Sequence, residues 1–264
     1  MAYSNHLRKF KMEKFILTVV VAVKEWREAD VLRLVYSLSV MPLAKKMQMV
    51  LVFSNNSPES MIVNLNSNIG SFKFIDTAPQ GVYAAFTAGV AASEGSYIIF
   101  SGGDDFFMPG LNKILKLIPE MREKQSSLIV SPVCFGDDRL FLPSKSKLGI
   151  LLKNWCQQGV LYRSDIFEKY HFDEKYPIQA DHKFNIELLA SNNISIQYTD
   201  FIVAYFSCGG MSQTKPDLLF WKDMPSIVLS NFGWIYATVC RLRMMVGYVL
   251  HGSPKKRFKA PIEN

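Results

Sequence analysis

Residues 15–23, FILTVVVAV, form an unbroken apolar run dominated by β-branched side chains. A run without polar alternation describes a strand buried on both faces, and such strands belong to parallel sheets covered by helices on each side. The chain then repeats the theme. Val31, Leu34, Val35 and Leu38 lie at helical spacing within 28–40, and MQMVLVF at 47–53 reads as a second buried strand. A short strand is expected at 72–75, an Ala-rich helix at 81–93 and another strand at 96–101. Strands alternating with helices imply a mainly parallel α/β sheet, whose ligands bind beyond the C-terminal strand ends. Two polar turns fall at such ends, Ser54–Ser57 and Ser101–Asp105.

Residues 127–163 (SLIVSPV, RLFLP, GVLYR) are more irregular and suit a mixed part of the sheet. A helix is expected over 181–190 and a strand over 194–206, and 217–250 is aromatic, Met-rich and helical in pattern. The 264 residues are 49% hydrophobic, enough for one large domain or a domain with an appendage.

The turn after the 96–101 strand carries Asp104 and Asp105. Adjacent acids at the end of a buried strand are costly unless something positive binds there. A divalent cation carrying a diphosphate answers that need, and the small residues of SGG let backbone and ligand approach closely. The alternative is that the pair caps a helix starting near Pro109.

Other classes recede. The four cysteines form no CxxC pair, which argues against a zinc site, and no two histidines are spaced as a metal pair. No GxGxxG follows the first strand, so a nicotinamide enzyme is disfavoured. Net charge is +7, with the basic residues gathered at the chain ends. No recognised motif accompanies them, so nucleic acid is not the expected partner. No signal peptide is apparent, and the apolar run at 15–23 is too short to span a bilayer. A cytoplasmic location with reduced thiols follows.

The segment GVYAAFTAGVAASEGSYIIFSGGDD resembles the pattern GIYDAMNKGI…A.G.YI.FLNSDD of family 2 glycosyltransferases, inverting enzymes with the GT-A fold. Three further segments resemble that family in the same order. They are WCQQGVLYR at 155–163, FDEKYPIQADHKFNIELL at 172–189 and FSCGGMS at 206–212. The resemblance implies a GT-A domain over 12–212. Residues 213–264, helical in pattern and basic and aromatic in composition, are expected to form an extension that associates with a membrane or a partner. It implies Mg2+ or Mn2+ held by Asp104 and Asp105. Gly102 stands where many relatives carry a first Asp. Ser54, Gly81, Tyr83 and Gly102 would border a nucleotide-diphosphate sugar, with a UDP-sugar the leading donor. Ser54 replaces an acid that usually contacts the base, and Ala84, Thr87 and Ala88 replace Asp, Asn and Lys. Tyr83 packs on the donor or simply joins the core.

Asp181 falls on the family's catalytic base, which takes the acceptor hydroxyl's proton as that oxygen attacks the anomeric carbon. It also reads as the N-cap of a helix over 182–190. His182 reads as an exposed or capping residue. Gln158, Gly209 and Gly210 would border the acceptor, and Gln157 replaces a usual His. The expected acceptor is a polyprenyl-diphosphate-linked saccharide in bacterial surface polysaccharide assembly, met at the inner face of the plasma membrane. Aromatic and basic residues over 232–249 suit an anionic membrane surface, or a helix pair that covers the core. A non-catalytic nucleotide-binding relative, partner to an assembly enzyme, is the alternative that the losses at Ser54, Ala84, Ala88 and Gly102 motivate.

Overall fold

The computed structural model describes residues 14–54, 68–78, 80–207 and 215–251, the last five without their side chains. The first half runs β1 (Phe15–Val23), α1 (Glu28–Ser39), β2 (Met47–Ser54), β3 (Ser71–Thr77), α2 (Val82–Ala91) and β4 (Gly95–Gly102). Then come β5 (Phe106–Phe107), α3 (Gly110–Glu123), β6 (Leu128–Val130), β7 (Val133–Phe135) and β8 (Leu140–Phe141). The remainder is α4 (Lys147–Leu152), β9 (Val160–Arg163), α5 (Ala180–Ala190), β10 (Ile196–Tyr198), β11 (Ala204–Phe206), α6 (Leu218–Phe232) and α7 (Trp234–His251).

The apolar run at 15–23 lies deep in a seven-stranded sheet of order β10-β6-β9-β4-β1-β2-β3. β1 pairs in parallel with both β2 and β4, and β2 pairs in parallel with β3. β9 is inserted antiparallel between β4 and β6. Side chains of β1 alternate between two cores. Val20 joins Tyr83, Phe86 and Phe100 on one face, beside residues of α5 and α6. Leu17, Val19 and Val21 join Val31 and Leu34 of α1 and Ile114 and Ile118 of α3 on the other. Burial on both faces is why the run shows no polar alternation.

The single strand expected over 194–206 is two strands in two sheets. β10 pairs in parallel with β6, while β11 pairs in parallel with β7 in a four-stranded sheet of order β5-β11-β7-β8. Pro132 separates β6 from β7 and has no N–H to continue a ladder. The neighbouring chain turns at the same level, where Val203 N–H donates to the Pro132 carbonyl at 3.1 Å. The second sheet thereby folds over the C-terminal end of β4.

The tail is two helices. Gly233 ends α6 with φ 80°, a backbone that favours glycine, and its N–H still bonds the Leu229 carbonyl. Phe220, Met224 and Val228 of α6 sit in the same core as α2 and α5. Asp217 caps α6 through the Phe220 N–H at 3.1 Å. Its other oxygen accepts from the N–H groups of Ile178 and Gln179, just ahead of α5. The expected domain boundary at 212/213 lies outside the described residues.

Candidate active site

A cleft of about 500 Å3 opens beyond the C-terminal end of β4. Gly102, Asp104 and Asp105 line it from the β4 turn, Tyr83 from α2 and Asp181 from α5. Folding thus joins the two acid segments that the sequence places 77 positions apart.

The two neighbouring acids differ sharply. Asp105 is 2% exposed. One carboxylate oxygen accepts from the Gly102 N–H and the Gln158 amide, both at 2.9 Å, and the other accepts from the Ser207 N–H at 3.0 Å. Burial pushes its pKa up to about 6, against the pull of those donors and with a small contribution from Asp104. Asp105 therefore ties the β4 turn to the short 3-10 turn preceding β9 and to the end of β11. Asp104 is exposed, and its carboxylate meets no donor among the described residues. Its backbone carbonyl is clamped by Arg33 at 2.8 Å and the Ser207 hydroxyl at 2.6 Å. The pair does not cap the following helix, because α3 begins after Pro109 with no side-chain cap.

Gly102 completes this arrangement. A Cβ there would lie 2.8 Å from Asp104 Oδ1, so glycine keeps that oxygen unobstructed. An exposed, unobstructed carboxylate oxygen is a donor that a divalent ion could take, and such an ion would need its remaining oxygens from outside the protein. Among the described residues no cluster of three metal-ligating side chains exists.

Asp181 stands in the first turn of α5, whose N-cap is Gln179 rather than Asp181. The capping alternative therefore fails, although an acid in the first turn still suits the helix dipole. Oδ1 accepts from the Tyr83 hydroxyl and the His182 N–H, both at 2.8 Å, and Oδ2 accepts from Asn154 Nδ2 at 2.8 Å. Burial raises the Asp181 pKa to about 6, and these hydrogen bonds oppose it only in part. A carboxylate so placed is charged near neutral pH yet poised to take a proton.

The Tyr83 hydroxyl also reaches the Ile178 carbonyl at 2.9 Å. One phenolic hydrogen cannot serve two acceptors. When Asp181 is charged it receives that hydrogen. When Asp181 is protonated, its own O–H can donate to Tyr83 while the phenol turns to Ile178. Tyr83 is buried against Phe86 and Phe172, so the core alternative is right about its packing. Behind Asp181, Asn154 accepts from Asn185 Nδ2 at 2.9 Å, and Asn185 accepts from the Tyr162 hydroxyl at 3.0 Å. This chain, half-buried at Asn154 and buried at Asn185, fixes the carboxylate's orientation.

His182 departs from its expected exposed or capping role. It is buried, donates from Nε2 to the Ile150 carbonyl at 2.8 Å and packs against Phe220. Burial lowers its pKa to about 4, so it is neutral and joins α4, α5 and α6. Gln158 lines the cleft with its amide committed to Asp105 and its oxygen to the Cys156 thiol. Gln157 also lines the cleft, and its buried Nε2 has no partner among the described residues. Ser54 ends β2, two strands from β4, and Gly81 is the N-cap of α2 beside the cleft residue Val82. Asn55, Asn56, Ser57, Gly209 and Gly210 lie outside the described residues. Sequence reasoning missed Asn154, Ser207 and Asp217. Only Ser207 stood within a family-like segment, FSCGGMS, that could have signalled it.

Comparison with known proteins meets this geometry. The family model described as glycosyl transferase family 2 matches residues 18–195. A PGL/p-HBAD biosynthesis glycosyltransferase of Mycobacterium tuberculosis is 30% identical over 188 residues, covering 67% of this chain and 72% of the relative. The Mycobacterium bovis protein of the same description matches equally. Among solved structures, S. aureus TarS 1–349 in complex with UDP superposes with TM-score 0.66 at 13% identity, covering 93% of this chain and 75% of that one. The mannosyltransferase PcManGT from Pyrobaculum calidifontis, with GDP-Man and Mn2+, superposes with TM-score 0.54 at 8% identity, covering 90% and 76%. With the acids of β4 and α5 brought to one cleft on this sheet, the chain belongs to glycosyl transferase family 2 and is a glycosyltransferase with a GT-A-type fold.

Proposed function

We propose that this protein transfers a sugar, with inversion, from a nucleotide-diphosphate donor to a hydroxyl of a polyprenyl-diphosphate-linked saccharide. The setting is bacterial surface polysaccharide assembly at the inner face of the plasma membrane. One observation carries the proposal: a proton-poised, buried Asp181 and an unobstructed Asp104 line the same cleft. Asp104 would hold Mg2+ or Mn2+ at the donor diphosphate. Such an ion neutralises charge as the nucleotide departs. Asp105 acts differently, holding the turn that presents Asp104.

Asp181 Oδ1 or Oδ2 takes the acceptor hydroxyl's proton as that oxygen attacks the anomeric carbon. Where the proton settles on Oδ1, Tyr83 turns its hydroxyl to the Ile178 carbonyl and accepts from that oxygen. Solved proteins of this fold hold UDP-GlcNAc in one case and GDP-Man with Mn2+ in another, which supports a nucleotide-sugar donor. The relatives named for PGL/p-HBAD biosynthesis support a glycosyltransferase reading of the chain as a whole. The test is a panel of nucleotide sugars assayed for Mn2+-dependent nucleotide release with a lipid-linked acceptor supplied. Release is expected for one donor, only with metal and acceptor together. Nucleotide binding without release for any donor would favour the non-catalytic alternative.

A further inference from the structure

α7 has two faces with unlike duties. Ala237 and Cys240 are each 2% exposed and pack inward. Trp234, Ile235, Val239, Leu242, Met245 and Val246 are all exposed, Trp234 at 71% and Met245 at 64%. At about 100° per residue these six positions fall within a single arc of about 140°. The only polar residue inside that arc, Thr238, donates its hydroxyl back to the Trp234 carbonyl at 2.9 Å. Arg241 and Arg243, both exposed, flank the arc on its two sides. A soluble helix normally turns such a stripe inward; this one turns it outward.

We propose that this face of α7 is the surface by which the protein lies on an anionic lipid bilayer. The apolar arc would sink into the interface, with Trp234 at headgroup level and the two arginines against lipid phosphates. Among the described residues no helix is long and apolar enough to cross a membrane, so the helix lies on the bilayer. The sequence continues with Lys255, Lys256, Arg257 and Lys259, which adds basic charge beyond the helix. A second copy suits this face poorly, because a two-fold contact would bring the arginines of one copy toward those of the other. Gly233 sets the face, since its left-handed φ redirects α7 after α6. α4 packs against α7, and the chain leaving α4 at Leu152 and Lys153 lines the cleft. A saccharide carried on a lipid would therefore approach the cleft across α4. That last step rests on the proposed function; the lipid contact does not.

The test is co-sedimentation of the full chain with phosphatidylcholine vesicles, with and without phosphatidylglycerol, at low and high salt. Binding is expected only with the anionic lipid, and weaker at high salt. Trp234→Ser, Leu242→Ser and Met245→Ser combined should lower affinity about tenfold or more, with unchanged melting temperature and nucleotide binding. Arg241→Ala with Arg243→Ala should lower anionic binding about thirtyfold. Wild-type protein left in the supernatant, or equal binding by the triple variant, overturns the proposal. So does a wild-type dimer that the triple variant breaks. Vesicle binding without sugar transfer would leave this inference standing and count against the proposed reaction instead.

Discussion

Asp105 and Asp181 line the same cleft, both buried and both pushed up to about 6, yet they are wired differently. Two of the three donors to Asp105 are backbone N–H groups, on either side of the cleft at Gly102 and Ser207. Asp181 takes its cross-element hydrogen bonds from side chains, Tyr83 and Asn154. Backbone donors fix a fold. Side-chain donors can rotate, and Tyr83 has a second acceptor to turn to. Similar burial thus produces an anchor in one place and a group able to exchange a proton in the other.

The sharpest way to break this contrast runs through the anchor's exposed neighbour. On the proposed function, Asp104→Asn should cut metal-dependent transfer about a hundredfold or more, because the diphosphate would lose the ion that neutralises it. Its melting temperature should hold, since the side chain is exposed. A large fall in stability would mean that Asp104, too, is structural. Asp105→Ala should do the opposite, costing about 2–4 kcal/mol in denaturant unfolding by leaving buried donors unpaired. If the variant is as stable as wild type, Asp105 is no anchor.

Tyr83→Phe addresses the other side. Losing a donor to the charged form raises the Asp181 pKa, so the base stays protonated to higher pH. The acid limb of kcat, expected near pH 6 in wild type, should shift upward, with activity down about tenfold at pH 6 and much less at pH 8. A uniform loss at all pH values would reduce Tyr83 to packing. Gly102→Ala is the mildest test. Its methyl crowds Asp104 Oδ1 and comes within 3.3 Å of Asp105 Oδ2, so the Mn2+ concentration for half-maximal activity should rise severalfold, with a stability cost smaller than that of Asp105→Ala.

The sheet was legible because β1, β2 and β4 are buried on both faces and read as continuous apolar runs. The 194–206 segment misled because its two halves pair with different strands, β6 and β7, in different sheets, which no pattern within the segment reveals. The acids stood out through their place after a buried strand and their match to a family pattern. Their division of labour did not, because it depends on Ser207, Asn154 and Tyr83 arriving from distant parts of the chain. His182 misled because a histidine beside an acid at a helix start suggests a surface, whereas α6 covers it with Phe220. The tail's aromatic and basic composition left a lipid surface and a core cover both open. Ala237 and Cys240 pack inward, as a core cover requires, while Trp234 and Leu242 face out, where the lipid contact is proposed.

The most direct measurement pairs nucleotide binding by calorimetry with sugar transfer in Asp181→Asn. The amide keeps the shape of the carboxylate but cannot take the acceptor's proton. Transfer should fall about a thousandfold while nucleotide affinity is unchanged. Full turnover in that variant, or a loss of nucleotide binding equal to the loss of rate, would contradict Asp181 as the base.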